Sequence, residues 1–332
     1  MNQPAEPHIT YTFAPGVSRL DKGRYAGLPI VEFGMEFDRK PGNRFPPADA
    51  AAWRLSCAGW RADIPDEAAL FARFAETVDL TRVKAIIIGE WAQDSSDGPY
   101  EFTRLLVEHA PRLTALRSLF IGAVTYEFSE ISWIVQDDLT PLLRAFPRLE
   151  RLEVRGGERL GLDPLRHERL RILRVECGGL PGRVARAVAE SDLPALEYLE
   201  LWLGSGDYGW SGTAADLAGI LSGERLPALR HLGIKNSEIQ DEIAAAVASA
   251  PIVPRLETLD LSMGSLSDAG AEALLSGQPL THLRRLNLRH HYLSEPMAER
   301  VRDAFAGTGV EVDLSDRQTA DDGDWRFVEV GE

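Results

Sequence analysis

Ten side chains suited to gripping a charged or aromatic partner recur at alternate positions of short apolar stretches: Arg151, Glu153 and Arg155; Arg174 and Glu176; Tyr198, Glu200 and Trp202; His231 and Lys235. In an extended chain successive side chains point to opposite sides, so this alternation places all ten on one face. Tyr, Trp and Arg are the residue types most often found at the energetic centre of protein interfaces. The chemistry on offer is recognition of a protein or peptide with an acidic face, anchored by Tyr198 and Trp202 and gripped by Arg151, Arg155 and Arg174. The alternative is a solvated face of interleaved ion pairs, each worth about 0–1 kcal/mol.

A second group lies in three segments that follow apolar stretches, at 89–102, 122–138 and 202–216. They mix aromatics with carboxylates: Trp91, Asp94, Asp97 and Tyr100; Tyr126, Glu127, Glu130 and Trp133; Asp207, Tyr208 and Trp210. Falling at the same point of each unit, they emerge on one edge of the molecule, and loops on a rigid scaffold are where function concentrates. The alternative is that Trp91 and Trp133 plug the core and that acids such as Asp137 and Asp216 cap helices.

Catalytic constellations are weak. His290, His291 and Glu295 approach the spacing of metal ligands on a helix, but both histidines fall at a strand end, where a turn role accounts for His291. Cys177 precedes Gly178 and Gly179, and its nearest histidine in register is His231, two strands or about 10 Å away, too far to activate it. No Walker A motif occurs. No catalytic residue, metal or cofactor is expected, and the protein is read as non-enzymatic.

The elements that position these residues come from a repeat. Eight stretches spell a version of LxxLxL, at 83–88, 116–121, 149–154, 170–175, 196–201, 229–234, 256–261 and 283–288, and a worn ninth ends in Val312 and Leu314. Their starts lie 33, 33, 21, 26, 33, 27 and 27 residues apart, intervals that bracket the leucine-rich repeat period. Apolar periodicity between them predicts helices over 66–78, 101–110, 137–146, 183–190, 213–222, 241–250, 268–276 and 295–305. Proline-leucine phrases at 110–113, 146–149 and 226–229 stop helices and start strands. The return segment of the 21-residue unit has no helical period. The expected fold is an α/β leucine-rich repeat solenoid of about nine units, a horseshoe with parallel strands on the concave face and helices on the convex face. An N-terminal cap region is expected over 1–80, with strands at 30–37 and 53–59 around a loop at 41–47. The solenoid runs over 81–316, and an acidic tail over 317–332 is expected to dock.

The chain has 332 residues, 44% apolar and 26% charged, with a formal net charge of −15. That charge argues against nucleic acid and anionic membrane as partners, since both are polyanions. Continued through Asp260, Arg285, Arg289, Glu311 and Asp313, the ladder carries six basic and six acidic side chains, so it is basic relative to the rest. Two cysteines make no disulfide framework. The opening MNQPAEPHITYTF lacks a basic and an apolar region, so no signal peptide is expected, and a reduced cytoplasmic monomer is the expectation.

Over residues 80–315 the repeats resemble leucine-rich repeat proteins with long, helix-bearing units, such as ribonuclease inhibitor. The place where that family has asparagine holds Trp91, Val124, Gly157, Gly178, Gly204, Ser237, Gly264 and His291 here. The phrases TYEFSEISWI, VRGGERLGLDPLRHERL, NSEI and HHYLS look like those of a family of bacterial leucine-rich repeat proteins without established activity. That resemblance implies an alternative role as an accessory or catalytic subunit of a modification system beside ATP-grasp or radical-SAM-type enzymes. A hydrolase working through the carboxylate-rich rim is a further alternative.

Overall fold

The apolar side chains of the repeated stretches align across one twelve-stranded sheet whose strands follow chain order. The structure is a computed structural model and describes residues 23–33, 45–57, 66–91, 98–321 and 325–332. Asp94, Asp97 and most of the loop expected at 41–47 lie outside the described residues. The strands are β1 (Arg24–Tyr25), β2 (Leu28–Phe33), β3 (Ala52–Leu55), β4 (Ala85–Ile88), β5 (Ser118–Ile121), β6 (Arg151–Arg155), β7 (Ile172–Glu176), β8 (Tyr198–Gly204), β9 (His231–Ser237), β10 (Thr258–Asp260), β11 (Arg285–Asn287) and β12 (Glu311–Asp313). β1 and β2 form an antiparallel pair, and every pairing from β2 to β12 is parallel.

Parallel neighbours need a crossover, and eight helices supply most of them: α1 (Glu67–Thr77), α2 (Tyr100–His109), α3 (Thr140–Ala145), α4 (Gly182–Glu190), α5 (Ala218–Ser222), α6 (Gln240–Val247), α7 (Asp268–Ser276) and α8 (Glu295–Phe305). Their starts are chemically marked. Asp66, Ser267 and Ser294 accept from the backbone N–H groups of Ala69, Ala269 and Met297. Thr213 and Asp216 form a reciprocal capping box ahead of α5. Between β6 and β7 the short unit has no helix. Isolated bridges take its place, and buried His167 accepts from the Leu170 N–H at 3.0 Å.

The register puts Leu152, Leu173, Leu199, Leu232, Leu259 and Leu286 in one row facing the helices, where they form a continuous core. β2 and β3, read from sequence as a non-repeating cap, continue that register backwards: Trp53 pairs with Ile86 and lies in the same core. On the opposite, helix-free face the first strands carry a small apolar cluster of Tyr25, Ala52, Ala85, Ile87, Phe120 and Ala123. Beside that cluster Arg54 of β3 pairs with Glu32 and Glu90, and from β6 onward charged side chains take over the face. No helix among the described residues is long and apolar enough to cross a membrane.

Candidate functional site

The parallel register dictates how the charged face is wired. Glu153, Arg174 and Glu200 are direct cross-strand partners, as are Arg155 and Glu176, and Trp202 and Lys235. Neighbouring strands lie about 4.8 Å apart, within reach of a guanidinium and a carboxylate. Arg174 therefore sits at the centre, 2.5 Å from Glu176, 3.1 Å from Glu200 and 3.7 Å from Glu153. Arg151 bonds Glu153 at 2.5 Å and Arg155 reaches Glu176 at 3.2 Å. Lys235 lies 3.6 Å from Glu200 and 3.4 Å from Asp260. Arg54 makes a similar buried pairing on β3, with Glu32 at 2.8 Å and Glu90 at 2.6 Å.

The aromatic members are tied into the same web. The Trp202 indole N–H donates to Glu200 at 2.8 Å, the Tyr198 hydroxyl donates to the other Glu200 oxygen, and Lys235 lies 5.6 Å from the Trp202 ring centroid. His231 stacks on Tyr198 with ring centroids 3.8 Å apart, and its buried Nε2 has no hydrogen-bond partner. Burial holds His231 down to about 4, so the ring is neutral near pH 7. Burial pushes the Glu200 carboxyl up, but Arg174, Lys235 and the Tyr198 hydroxyl outweigh it and leave the group well below the usual carboxylate range. Glu176 remains raised, because burial there outweighs Arg174 and Arg155.

This wiring corrects the expectation of an exposed ladder. Arg151, Glu153, Arg155, Arg174, Glu176, Glu200, Trp202 and Lys235 are buried, with Trp202 only 2% exposed, while Tyr198 and His231 are partly buried. Trp202 packs with Ile131, Met263 and Val330. Tyr25 of β1 covers Arg151, whose guanidinium lies 5.1 Å from the ring centroid. These are not isolated surface pairs: removing one member of a buried pair leaves an uncompensated charge, at a cost of about 3–5 kcal/mol.

The edge where strands run out into their connections is different in character. Tyr126 and Trp133 are 53% and 57% exposed. Glu127 and Asp207 are exposed, and Glu130 and Tyr208 partly so. The Tyr126 hydroxyl donates to Glu130 at 3.3 Å. Trp91 and Trp210, expected on this rim, are instead buried core side chains, since each turns inward against the helices' apolar layer. Asp216 serves as a cap, and Asp138 rather than Asp137 accepts from the Thr140 N–H at the start of α3, at 2.8 Å.

Tyr208 of the expected rim and further residues that sequence reasoning missed cluster on this same edge and receive residues 326–332. Arg326 reaches Asp241 at 3.1 Å, and the Phe327 N–H donates to the Tyr292 hydroxyl at 2.8 Å. The Glu329 N–H donates to the Met263 carbonyl at 2.9 Å, and Arg289 bonds both Glu329 oxygens at 2.5 and 2.6 Å. Asn236 then holds Val330 from both sides, accepting its N–H at 2.9 Å and donating to its carbonyl at 2.6 Å. Ser132 donates to the Gly331 carbonyl, and the Tyr208 hydroxyl donates to Glu332 at 2.9 Å. The one sequence signal was the expectation that the tail over 317–332 docks; nothing in the sequence marked Asn236, Ile131 or Met263 as its receptors.

Among the described residues one group has metal-ligating atoms within 4.8 Å of one another: His290, Asp316 and Glu329. The Arg289 guanidinium already bonds both carboxylates, so a cation there competes with a resident positive charge. His291 does not join this group; its ring accepts from the Leu293 N–H at 3.1 Å and meets the Leu314 carbonyl at 3.1 Å, holding the turn. Cys177 is buried against the Trp202 carbonyl at 3.2 Å, and burial pushes its thiol up to about 12, which suits packing rather than nucleophilic attack.

No family model matches the chain, and no curated protein matches it. Among solved structures, a crystal structure of a Bacteroides fragilis protein, a Northeast Structural Genomics Consortium target, is similar to it at 32% identity with a TM-score of 0.71. The match covers 79% of this chain and 72% of that one.

Proposed function

The chain belongs to the family of that Bacteroides fragilis protein, and from this premise we propose that it is a leucine-rich repeat horseshoe acting as a non-catalytic protein- or peptide-binding scaffold, with the strand-exit rim as its contact surface. One observation carries the reading. The large hydrophobic side chains exposed among the described residues are Tyr100, Tyr126, Trp133, Trp325 and Phe327. Tyr126 and Trp133 stand on a strand-exit connection, Tyr100 opens α2 directly after one, and Trp325 and Phe327 lie on the terminal segment laid across them. Large apolar side chains gathered on one edge mark an interaction site, and aromatics on rigid loops are the residues that anchor partners.

The charged ladder supports this indirectly. Its arginines already hold carboxylates of their own chain, so they have no free fork to offer an incoming acid. Their role in the proposal is to hold the face rigid beneath the rim. The test is capture of a partner on the immobilised full chain, repeated with a Tyr126→Ala, Trp133→Ala double variant. The proposal expects loss of the captured protein at unchanged melting temperature; retention of it would reject the rim as the contact surface.

A further inference from the structure

We infer that the rim contains a groove built for an extended acidic peptide of the pattern acid–apolar–glycine–acid, and that residues 329–332 of the chain itself occupy it in this structure. The inference rests on the reading of the rim as a contact surface and specifies what that surface accepts.

Three features separate this groove from incidental tail packing. First, it reads main chain. The Met263 carbonyl, both ends of the Asn236 amide and the Ser132 hydroxyl bond the backbone of three successive residues, and Asn236 holds the left-handed φ of 51° at its strand end. Main-chain bonding of this kind gives a peptide site its affinity, and flanking pockets give it specificity.

Second, each side-chain position has its own receptor. Glu329 meets the guanidinium of Arg289, Val330 enters the pocket of Ile131, Trp202 and Met263, and Glu332 meets the Tyr208 hydroxyl. Glycine fits best at the third position, because a Cβ on Gly331 would lie 2.7 Å from the Tyr208 ring and would have to push it aside. The floor is shaped to match: a Cβ on Gly178 would stand 2.2 Å from the Gly331 carbonyl oxygen. The groove therefore admits the backbone of its occupant at this point because Gly178 has no side chain.

Third, the burial is inverted. A tail that served only to close the core would bury its largest side chains. This one inserts Val330 and leaves Trp325 and Phe327 67% and 58% exposed. The terminal segment is held by a short readable pattern, and a partner segment with the same pattern competes for the same atoms. A tethered occupant has an effective concentration of about 1 mM, so a free peptide binds the unaltered chain weakly until the tether is outcompeted.

The experiment uses a labelled peptide of sequence WRFVEVGE, followed by fluorescence anisotropy against the full-length chain. Two variants alter the chain's own terminal segment and leave the groove intact: Val330→Asp, which puts a charge in the apolar pocket, and Gly331→Leu, which drives a side chain into Tyr208. At least one of them is expected to bind the peptide about tenfold or more tighter than the unaltered chain. Adding Asn236→Ala to that variant, or replacing the peptide's own glycine by leucine, is expected to abolish the gain. If neither variant binds the peptide more tightly, or if both only lower the melting temperature, the terminal segment is a structural brace and the inference is overturned. The peptide assay reads the groove alone and the capture assay reads Tyr126 and Trp133 alone, so either can fail without the other.

Discussion

The helix-free face of β6 to β10 and the strand-exit rim are made of the same residue types, arginine, carboxylate and aromatic, yet they end in opposite states. On the face, Arg174 has three carboxylates of its own chain within 3.7 Å and Trp202 is sealed beneath Val330. On the rim, Trp133 and Tyr126 stand in solvent. The difference teaches that interface-prone residue types become an interface only where the fold leaves them unsatisfied. The strands satisfy the face, because the parallel register and the spacing of two within a strand together put a carboxylate beside each of Arg151, Arg155 and Arg174; no such register governs the connections.

The comparison breaks most easily at Arg174. Arg174→Ala leaves Glu153, Glu176 and Glu200 sharing fewer cations in a buried setting, and a loss of about 3–5 kcal/mol in unfolding free energy is expected by urea denaturation. A loss below about 1 kcal/mol would return the ladder to the status of a solvated surface. Trp202→Ala is expected to cost about 3–5 kcal/mol as well, through the cavity left among Ile131, Met263 and Val330.

Acid offers a gentler probe of the same face. His231 takes up a proton in the unfolded chain near 6.5 but in the folded chain only near 4. Its folded value is depressed, so the stability it contributes is fully present above 6.5 and is lost as pH falls from 6.5 towards 4. Glu200, lowered against its unfolded value, adds a loss of the same sign further down the acid range, while raised Glu176 opposes it. Arg174, Lys235, Asp260 and Glu200 are the charged groups that act on His231. Melting temperatures between pH 7 and 4 are expected to fall for the unaltered chain and to fall less for His231→Gln. His167 and His291, also held low by burial, retain the remainder of the slope.

Smallest in stability is the rim. Trp133→Ala and Tyr126→Ala are each expected to change unfolding free energy by no more than about 0.5 kcal/mol, as exposed positions do. A loss of several kcal/mol at either would mean that these aromatics hold the fold together and that the contrast with the face is false.

Local pattern explains what could be read before the fold. The alternation in LxxLxL marked the parallel strands because leucine spacing fixes which side of a strand faces the helices. Helices α7 and α8 have the bounds that periodicity predicted, since Ser267 and Ser294 mark their starts chemically. Trp202 was misjudged as exposed because its cover, Ile131, Met263 and Val330, comes from three distant parts of the chain. Trp91 was misjudged for a related reason: a tryptophan after a strand turns inward or outward according to packing, which spacing does not encode. The parallel register of β2 and β3 was hidden because their stretches, LPIVEF and AWRL, lack the LxxLxL spacing of the later units. Asn236 and its hold on Val330 were hidden because a contact between residues 94 apart in the chain has no local signature.

The most direct test of the central claim is quantitative partner capture by the full-length chain and by its Tyr126→Ala, Trp133→Ala variant, with melting temperatures measured on the same samples. The account expects the variant to melt with the unaltered chain and to lose its partner. Full retention of the partner by a normally folded variant would contradict it and move the contact surface away from the strand-exit rim.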